Sequence, residues 1–587
     1  MDLEALGYLR RVRQRVEADL RADPFLRGIL LGSLVLSAFG IWYRVPNFAG
    51  PDEYSRLIQP MKTAGYVATD PSFDSFRTGV TDGRALGATF YLYGIVLVPV
   101  FLLVLASGRI GEFVSLGGLS SRWELWHAAP DWFWTLSILF GRGINVVLAV
   151  GCVYLVYRIG ARTRTRQTGR YAAILLTLSL GFIAAAHELA EDVPMLFCFL
   201  LALLLIIRYV ETGRGSTLLL GSFFGGLAIA FKLTGGVAAV VLGVAIIVRT
   251  LRSTDGFRTA LEPRLYALCF VVGLGAVYVG IPSALVGGPE ALLTRLTHTT
   301  TRKTTALQST PPISYWMTLQ YVKSLGVPLF VACLCGVAAT VFRFGRSRSI
   351  PDHELLLLVA LSTYVVVFSQ WQFVRMHHLL PTIPLLLLLL APRLARLRNE
   401  HGATGRVVVA LLLLSTAMFA VAGDAKYAMD RRDDATGWMA TEFGENESVL
   451  VYENSIADVA AVHGRPVTHY EYREENATYS SSLVLNETAY TEWMVSTPQR
   501  GPEYIQLTSS DLAYLSPLSA RSYQYPRRAE YIKTLVDGDG YDYTVAREFG
   551  DRSVEKESLE ERILRAAIDP DVPQRESYVL LLERSEE

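Results

Sequence analysis

Long apolar runs recur along the chain from Phe25 to about Ala422 and then stop. A helix needs about 20 apolar residues to cross the hydrocarbon core of a bilayer, and many of these runs are at or near that length with almost no charge. Buried helices of a soluble protein would carry polar faces at the helical period, which these runs lack. The pattern therefore predicts an integral membrane protein.

Short segments rich in arginine set the predicted topology, because such loops stay on the cytoplasmic side of a membrane. The six segments are Arg10–Arg27, Arg158–Arg170, Arg208–Arg214, Arg249–Arg264, Arg343–Arg348 and Arg393–Arg406. With all six inside, every apolar run joins an inside loop to an outside loop. The predicted spans lie near 28–45, 135–157, 171–186, 193–210, 217–231, 234–250, 265–284, 325–342, 354–370, 378–392 and 406–422. No cleavable signal peptide is apparent, so 28–45 is predicted to be a retained first span.

One apolar run, 86–106, does not fit this alternation. A crossing there would move Arg158–Arg170 to the outside. We therefore predict a helix that lies in the outer interface, where the nearby tyrosines and tryptophans are typically enriched. The alternative is a hairpin with a second crossing near 107–131, but that stretch is polar and rich in glycine.

The net charge of zero hides an asymmetry. From Asp430 to the end there are 16 Lys/Arg and 31 Asp/Glu, a net of −15, so the preceding part carries +15. Acidic soluble surfaces are common in salt-loving organisms, and a haloarchaeal source is therefore an expectation. The five cysteines all lie in apolar stretches, which leaves the tail without a disulfide framework.

These patterns divide the chain into three parts. The sequence predicts a cytoplasmic segment over 1–27, a membrane domain over 28–423 with a large first outer loop at 46–134, and an acidic extracytoplasmic domain over 424–587. In the tail, 448–452 and 577–582 are typical of strands and 433–443 of a helix, which indicates an α/β domain. The tail also holds three glycosylation sequons, at Asn446, Asn476 and Asn486.

Two adjacent carboxylates, Asp52 and Glu53, follow the first span. Charged side chains near a membrane face, outside the basic loops, are candidates for function. The simpler alternative is a helix cap, because Pro51-Asp52-Glu53 suits the start of a helix.

The second short outer loop is dense in ionisable groups, with His187, Glu188, Glu191 and Asp192 between two apolar runs. A histidine with nearby carboxylates can bind a divalent metal, so His187, Glu188 and Glu191 are candidate ligands, although their spacing is short and irregular. The simpler alternative is a polar turn at the lipid headgroups.

Several cationic or imidazole side chains fall at the same outer level. They are Arg142, Lys232, Arg375, His377 and His378. A lone cation in such a place can simply snorkel to the headgroups. Together with the carboxylates, however, they suit a lipid substrate that bears a phosphate: the cations would hold the phosphate, and a carboxylate would deprotonate an incoming hydroxyl.

Five pieces, in this order and on the predicted faces, resemble the GT-C membrane glycosyltransferases of the protein O-mannosyltransferase and aminoarabinose transferase branch (glycosyltransferase family 39-like). They are Pro51-Asp52-Glu53-Tyr54, Leu139–Val147, Ala186–Pro194, Gly225–Gly235 and His378–Pro384. One departure is the pair His377-His378, which stands where the family has Arg-Tyr before its Leu-Leu-Pro motif.

The resemblance implies an all-α polytopic enzyme of about 11 transmembrane helices. It would transfer a sugar, with inversion, from a polyprenyl (dolichyl) phosphate donor to a protein, glycan or lipid acceptor at the outer face of the cell membrane. It also implies that Asp52 is the catalytic base, with Glu53 beside it, and that Asp192 is the second-loop acid.

Three other functions are open from the residues alone. A polytopic transporter or lipid flippase would place ionisable residues near the bilayer midplane, whereas the spans here are almost free of charge at their centres. A membrane scaffold would leave the carboxylate loops unexplained. An oligosaccharyltransferase would carry a Trp-Trp-Asp-type motif in its tail, which this chain lacks.

Overall fold

The computed structural model describes most of the chain. The described residues are 3–81, 87–114, 116, 119, 122–252, 262–304, 311–347, 350–452, 455–470, 487–516, 519–538, 541–550, 558–570 and 578–585. Two of the three sequons, at Asn476 and Asn486, lie outside them. Asn446 is exposed in a turn of the C-terminal domain.

The first twenty described helices form the membrane part. The first ten are α1 (Leu3–Ala22), α2 (Pro24–Ala38), α3 (Pro51–Thr69), α4 (Phe73–Thr81), α5 (Thr89–Ala106), α6 (Ile110–Val114), α7 (Arg122–Ala128), α8 (Asp131–Thr163), α9 (Arg166–Thr177) and α10 (Leu180–His187). The next ten are α11 (Asp192–Thr212), α12 (Gly215–Phe231), α13 (Val237–Leu251), α14 (Pro263–Gly280), α15 (Pro282–Thr304), α16 (Ile313–Ser347), α17 (Asp352–Ser369), α18 (Met376–Leu379), α19 (Thr382–Glu400) and α20 (Gly402–Tyr427).

Within the described residues, eight helices are long and apolar enough to cross a membrane. The count is nine if α9 and α10, which meet at a bend of 60°, form one span. Two further predicted spans, α2 and α12, are apolar but shorter. The structure thus confirms a polytopic all-α membrane protein, with fewer full-length spans than the eleven that the apolar runs predict.

The six arginine-rich segments meet at one face of the membrane part, which we call the arginine face. Ion pairs with carboxylates join their helix ends there. They are Arg158–Asp19 at 2.7 Å, Arg170–Asp23 at 2.9 Å, Arg162–Glu211 at 2.5 Å, Arg164–Glu354 at 2.8 Å and Arg252–Asp352 at 2.6 Å. The buried Glu354 also pairs with Arg343 and lies 4.0 Å from Arg393. The segments therefore share one side, as the alternation of loops requires.

Helix α20 runs from Gly402, within the last arginine-rich segment, to Tyr427, where the C-terminal domain follows. We call the side of the membrane part that contacts this domain the domain face. Helix α5 has both ends there. At its start, the Ala88 N–H donates to the Ala230 carbonyl at the end of α12, at 3.0 Å. Near its end, the Phe101 ring lies 5.8 Å from Phe133 at the start of α8. Length and composition would permit α5 to cross a membrane, but these contacts favour a helix that runs along the domain face.

The C-terminal domain contains a mixed five-stranded sheet. Its strands are β1 (Val449–Val451), β2 (Val467–Thr468), β3 (Tyr504–Thr508), β4 (Tyr543–Phe549) and β5 (Val579–Arg584), in the order β2-β1-β3-β5-β4. Strand β1 pairs in parallel with β2 and β3, and β5 pairs antiparallel with β3 and β4. The helices are α21 (Arg431–Glu442), α22 (Glu487–Val495), α23 (Thr497–Arg500), α24 (Ser509–Leu512), α25 (Ala520–Gln524), α26 (Pro526–Asp537) and α27 (Leu559–Ile568).

A shared apolar core joins this domain to the loop that follows α2. Phe48, Trp126 and Trp134 from the membrane part are buried in one cluster with Met439 and Ile456 from the domain. Burial of apolar surface contributes roughly 25 cal/mol per Å². The loop that leads to Asp52 and Glu53 is therefore packed against the C-terminal domain.

Candidate active site

Asp52 and Glu53 occupy the first turn of α3, and their side chains have different surroundings. Pro51 begins the helix, where its missing N–H costs no hydrogen bond. Glu53 is 1% exposed and receives hydrogen bonds from Arg142 Nε at 2.8 Å and Arg142 Nη2 at 2.9 Å. The backbone N–H groups of Ala49 and Leu189 also donate to it, at 2.7 and 3.0 Å. Glu53 is thus fully engaged within the protein.

Asp52 faces outward, with 42% of its side chain exposed. Its Oδ1 lies 3.7 Å from Nη2 of Arg56, one helical turn later. Arg56 itself is 2% exposed, and its Nε donates to Glu191 Oε2 at 2.9 Å. A buried guanidinium thus lies directly beside Asp52. Arg56 therefore links the two carboxylate loops beneath the exposed carboxylate.

The other acid of the second loop, Asp192, forms an ion pair with a lysine. Lys232 Nζ lies 2.6 Å from Asp192 Oδ1, and the two side chains are 16% and 6% exposed. Lys232 is extended at the break between α12 and a short 3-10 turn, Leu233–Gly236. That turn needs glycine, since a Cβ on Gly235 would lie 2.5 Å from the carbonyl carbon of Ala228. The break presents the ammonium group at the domain face, next to Asp192.

A third segment, around α18, brings His377 and Arg375 to the same place. Burial is the main cause that lowers the pKa of His377 to about 3; the charges of Lys232 and Arg375 also lower it, and those of Asp52 and Glu191 act in the opposite direction. His377 is therefore neutral at neutral pH. Arg375 is exposed, with its guanidinium carbon 5.8 Å from the centre of the Phe373 ring.

Residues from four separate segments therefore converge at the domain face. The first loop provides Asp52, the second provides Asp192, and the segments at Lys232 and Arg375 provide cations. A half-exposed carboxylate next to fixed positive charges can remove a proton from one group while the cations hold an anion nearby.

Comparison with known proteins shows what this chain is similar to. The family described as dolichyl-phosphate-mannose-protein mannosyltransferase matches residues 135–279. The apo oligosaccharyltransferase of Archaeoglobus fulgidus is similar in structure, with 14% identity, a TM-score of 0.50, and coverage of 96% of this chain and 88% of that one. ArnT from Cupriavidus metallidurans bound to undecaprenyl phosphate gives 12% identity, a TM-score of 0.49, and coverage of 95% and 97%. No curated protein sequence matches the chain.

The chain shares its fold with this membrane oligosaccharyltransferase, and its segment 135–279 is similar to the mannosyltransferase family. The family match covers α8 to α14, which include Arg142, Asp192 and Lys232. The matched segment thus contains the partner of Glu53 and the complete Lys232–Asp192 pair. The five sequence pieces indicated a resemblance to the same group of enzymes, and the partial family match agrees with it.

The structure gives Arg142 and His378 places that differ from a phosphate site. Arg142 is 0% exposed, and besides Glu53 it donates through Nη1 to the carbonyls of Ile41 and Tyr43, at 2.5 and 2.7 Å. His378 is 6% exposed, and its Nδ1 accepts from the Arg375 N–H at 2.9 Å. Arg142 is thus enclosed by protein and His378 caps its own short helix, and these contacts do not favour the predicted role of either side chain in phosphate binding.

The three candidate metal ligands point to different partners. His187 Nε2 lies 3.0 Å from the Leu36 carbonyl and 3.5 Å from Asp424. Glu188 accepts from the Tyr427 hydroxyl at 3.0 Å, and Glu191 is held by Arg56. In the part of the chain that the structure describes, no three His, Cys, Asp or Glu side chains are grouped to hold a metal ion. The expected metal site is therefore not assembled from these three residues.

Sequence reasoning did not single out Arg56 and Asn145. The signal for Arg56 is its spacing of four residues from Asp52 in a predicted helix, which puts both on one face. Asn145 is buried beneath the second loop, where its amide donates to the Glu188 carbonyl and its Oδ1 lies 3.2 Å from the Tyr93 hydroxyl. Only the packing of α5 against α8 shows that Asn145 supports the second loop.

Proposed function

We propose that this chain is a GT-C enzyme that moves a sugar from a polyprenyl-phosphate donor to a hydroxyl or amide group of a protein, glycan or lipid acceptor. The acceptor atom attacks the anomeric carbon, Asp52 takes its proton, and the bond from that carbon to the phosphate oxygen breaks. The polyprenyl phosphate leaves with the bonding electrons. A single displacement inverts the configuration at the anomeric carbon and needs one carboxylate acting as a base.

The observation that carries this proposal is the different environment of two adjacent acids. Glu53 accepts four hydrogen bonds and is 1% exposed, whereas Asp52 has 42% of its side chain exposed beside Arg56. A general base must reach the proton that it removes. Asp52 meets this condition, and Glu53 instead fixes the turn on which Asp52 stands.

Lys232 and Arg375 are the proposed ligands of the donor phosphate, with neutral His377 as a hydrogen-bonding neighbour. The leaving phosphate gains charge as its bond to the sugar breaks, and fixed cations stabilise that charge in the transition state. Asp192 holds the Lys232 ammonium 2.6 Å away, which keeps it charged and oriented. This gives Asp192 a supporting role through Lys232.

The proposed location is the cell membrane, with the C-terminal domain outside. The six arginine-rich segments meet at the arginine face, and such segments remain in the cytoplasm. The domain face, which carries Asp52, then lies on the outer side. The donor's lipid tail would stay in the bilayer while its phosphate reaches Lys232.

Replacement of Asp52 by Asn tests the proposed base, because it keeps the shape and removes the proton acceptor. The turnover of a synthetic polyprenyl-phosphate sugar should fall by about 10²–10⁴-fold, with donor binding, measured separately, nearly unchanged. Asp434→Asn is the matched control, since Asp434 is also an exposed first-turn aspartate, in α21, and forms an ion pair with Arg431 at 3.1 Å. Near-normal turnover of Asp52→Asn would overturn the assignment.

A further inference from the structure

The C-terminal domain directly holds the residues that lead to Asp52. Arg44 is 1% exposed and has φ of 57°, a conformation that residues other than glycine rarely adopt. Its N–H donates to Asp433 Oδ2 at 2.8 Å, and its Nη2 donates to the Val459 carbonyl at 2.7 Å and the Ile456 carbonyl at 3.3 Å. Both the backbone and the side chain of Arg44 are thus fixed by the domain.

Two further contacts extend this attachment towards the active site. Asn47 Nδ2 donates to the Ala461 carbonyl at 2.8 Å. His463 lies with Nε2 2.7 Å from the Trp126 carbonyl, and Trp126 Nε1 donates to the Pro46 carbonyl at 3.4 Å. Apart from Asp433 of α21, these domain residues belong to one segment, 456–463, which follows β1. We call it the splint.

The opposite side of the same loop is held by the membrane part. Arg142 binds the carbonyls of Ile41 and Tyr43 and also both carboxylate oxygens of Glu53. The loop 41–53 is therefore clamped between Arg142 on one side and the splint on the other. Asp52 lies eight residues beyond Arg44, at the end of this clamped loop, so its position depends on both attachments.

We propose that Arg44 is a positioning residue for Asp52 and that the splint of the C-terminal domain helps to hold the active site in its geometry. This inference rests on the proposed role of Asp52. A carboxylate that must sit within hydrogen-bonding distance of an acceptor is sensitive to small displacements, and a shift of about 1 Å can cost on the order of 10²-fold in rate. Loss of the Arg44 contacts should lower turnover while the donor phosphate site at Lys232 stays intact.

The alternative is that Arg44 merely attaches the domain, with no effect on chemistry. Arg465 provides the matched control for that alternative. It donates from Nη1 and Nη2 to the carbonyls of Met439 and Ala440, at 2.5 and 2.9 Å, and so holds two parts of the domain together without touching the loop 41–53. Asp433→Asn gives a milder test from the domain side, because Asp433 has 39% of its side chain exposed.

The experiment compares full-length Arg44→Gln, Arg44→Lys, Asp433→Asn and Arg465→Gln in detergent. For each, it measures kcat, the KM for a synthetic polyprenyl-phosphate sugar, and hydrogen exchange of the amides in 44–53. We expect Arg44→Gln to lower kcat by about 10–100-fold with KM within about twofold, to speed exchange at Arg44 and Ala49, and to be partly rescued by Arg44→Lys. Asp433→Asn should have a smaller effect in the same direction, and Arg465→Gln should change neither kcat nor exchange in this loop.

Faster exchange in the loop with unchanged kcat would overturn the positioning role. Equal losses of kcat in Arg44→Gln and Arg465→Gln would assign the effect to general damage of the domain and would also overturn it. If Arg44→Gln does not fold, the same comparison of kcat and loop exchange is made with Asp433→Asn and Arg44→Lys, and it decides whether Arg44 positions Asp52. Hydrogen exchange in the loop is measured independently of turnover. If only the assignment of Asp52 as the base is wrong, the exchange results stay as expected, and Asp52→Asn keeps near-normal turnover.

Discussion

Arg142 binds both carboxylate oxygens of Glu53, and neither side chain is more than 1% exposed. The pair joins the first turn of α3 to the first half of α8. Two parallel bonds between a guanidinium and a carboxylate give direction as well as energy. The pair therefore fixes the turn on which the neighbouring Asp52 stands.

Removal of the negative charge of this pair should destabilise the protein strongly. We expect Glu53→Gln to lower the free energy of unfolding by about 3–5 kcal/mol, because it leaves Arg142 charged, buried and poorly paired. Thermal unfolding in detergent measures this effect. Glu17→Gln is the control, since Glu17 forms an exposed pair with Arg13 at 2.7 Å, and exposed pairs contribute only about 0–1 kcal/mol. Equal stability of the two variants would contradict the assigned role of Glu53.

Lys232 should control donor affinity. Lys232→Gln should weaken the binding of a polyprenyl phosphate by about 1.5–3 kcal/mol, the usual contribution of a hydrogen bond to a charged group. Binding can be followed by a fluorescent polyprenyl phosphate in detergent micelles. Arg252→Gln serves as a control on the arginine face, where Arg252 pairs with Asp352. An unchanged affinity in both Lys232→Gln and Arg375→Gln would remove the proposed phosphate site.

Glu188 should make stability depend on pH. Burial, together with the nearby charge of Glu53, raises its pKa to about 8 from the ordinary value of 4.5. The folded protein then binds more protons than the unfolded chain between these two values, so stability should fall as pH rises from about 5 to 8, by at most about 1.4 kcal/mol per pH unit from this group. Glu188→Gln keeps the acceptor for Tyr427 and should flatten that slope. If the original protein and Glu188→Gln show the same dependence of unfolding free energy on pH, the assigned effect of Glu188 is wrong.

Single cysteines in a cysteine-free background test the proposed topology. A membrane-impermeant thiol reagent applied to whole cells should label Asn446→Cys in the C-terminal domain and should not label Thr165→Cys on the arginine face. Both positions are exposed. The reverse pattern would invert the proposed orientation.

The same labelling distinguishes the two possible arrangements of α5. Ser107 is exposed just beyond its end, so Ser107→Cys should be labelled from the outside if the helix lies along the domain face. Labelling only after the cells are permeabilised would mean that α5 crosses the membrane.

The sequence by itself determined that this is a polytopic membrane protein, and it supplied most of the candidate residues. Apolar runs must lie in lipid, because each backbone polar group is satisfied within a helix there, and arginine-rich loops must share one side. Local patterns also predicted the first-turn position of Asp52 and Glu53 and the strands at 448–452 and 577–582. These features depend on spacing along the chain, so no tertiary information is needed to predict them.

Only the tertiary structure decided which of these residues work together. Adjacent positions on a helix diverge, so the sequence could name Asp52 and Glu53 but could not assign Glu53 to Arg142, 89 residues away. The same limit applies to Arg44, whose partners lie near residues 433 and 459. Burial and pairing are set by how distant segments pack, and a lone arginine in a sequence gives no sign of whether it will meet a phosphate, a carboxylate or a backbone carbonyl.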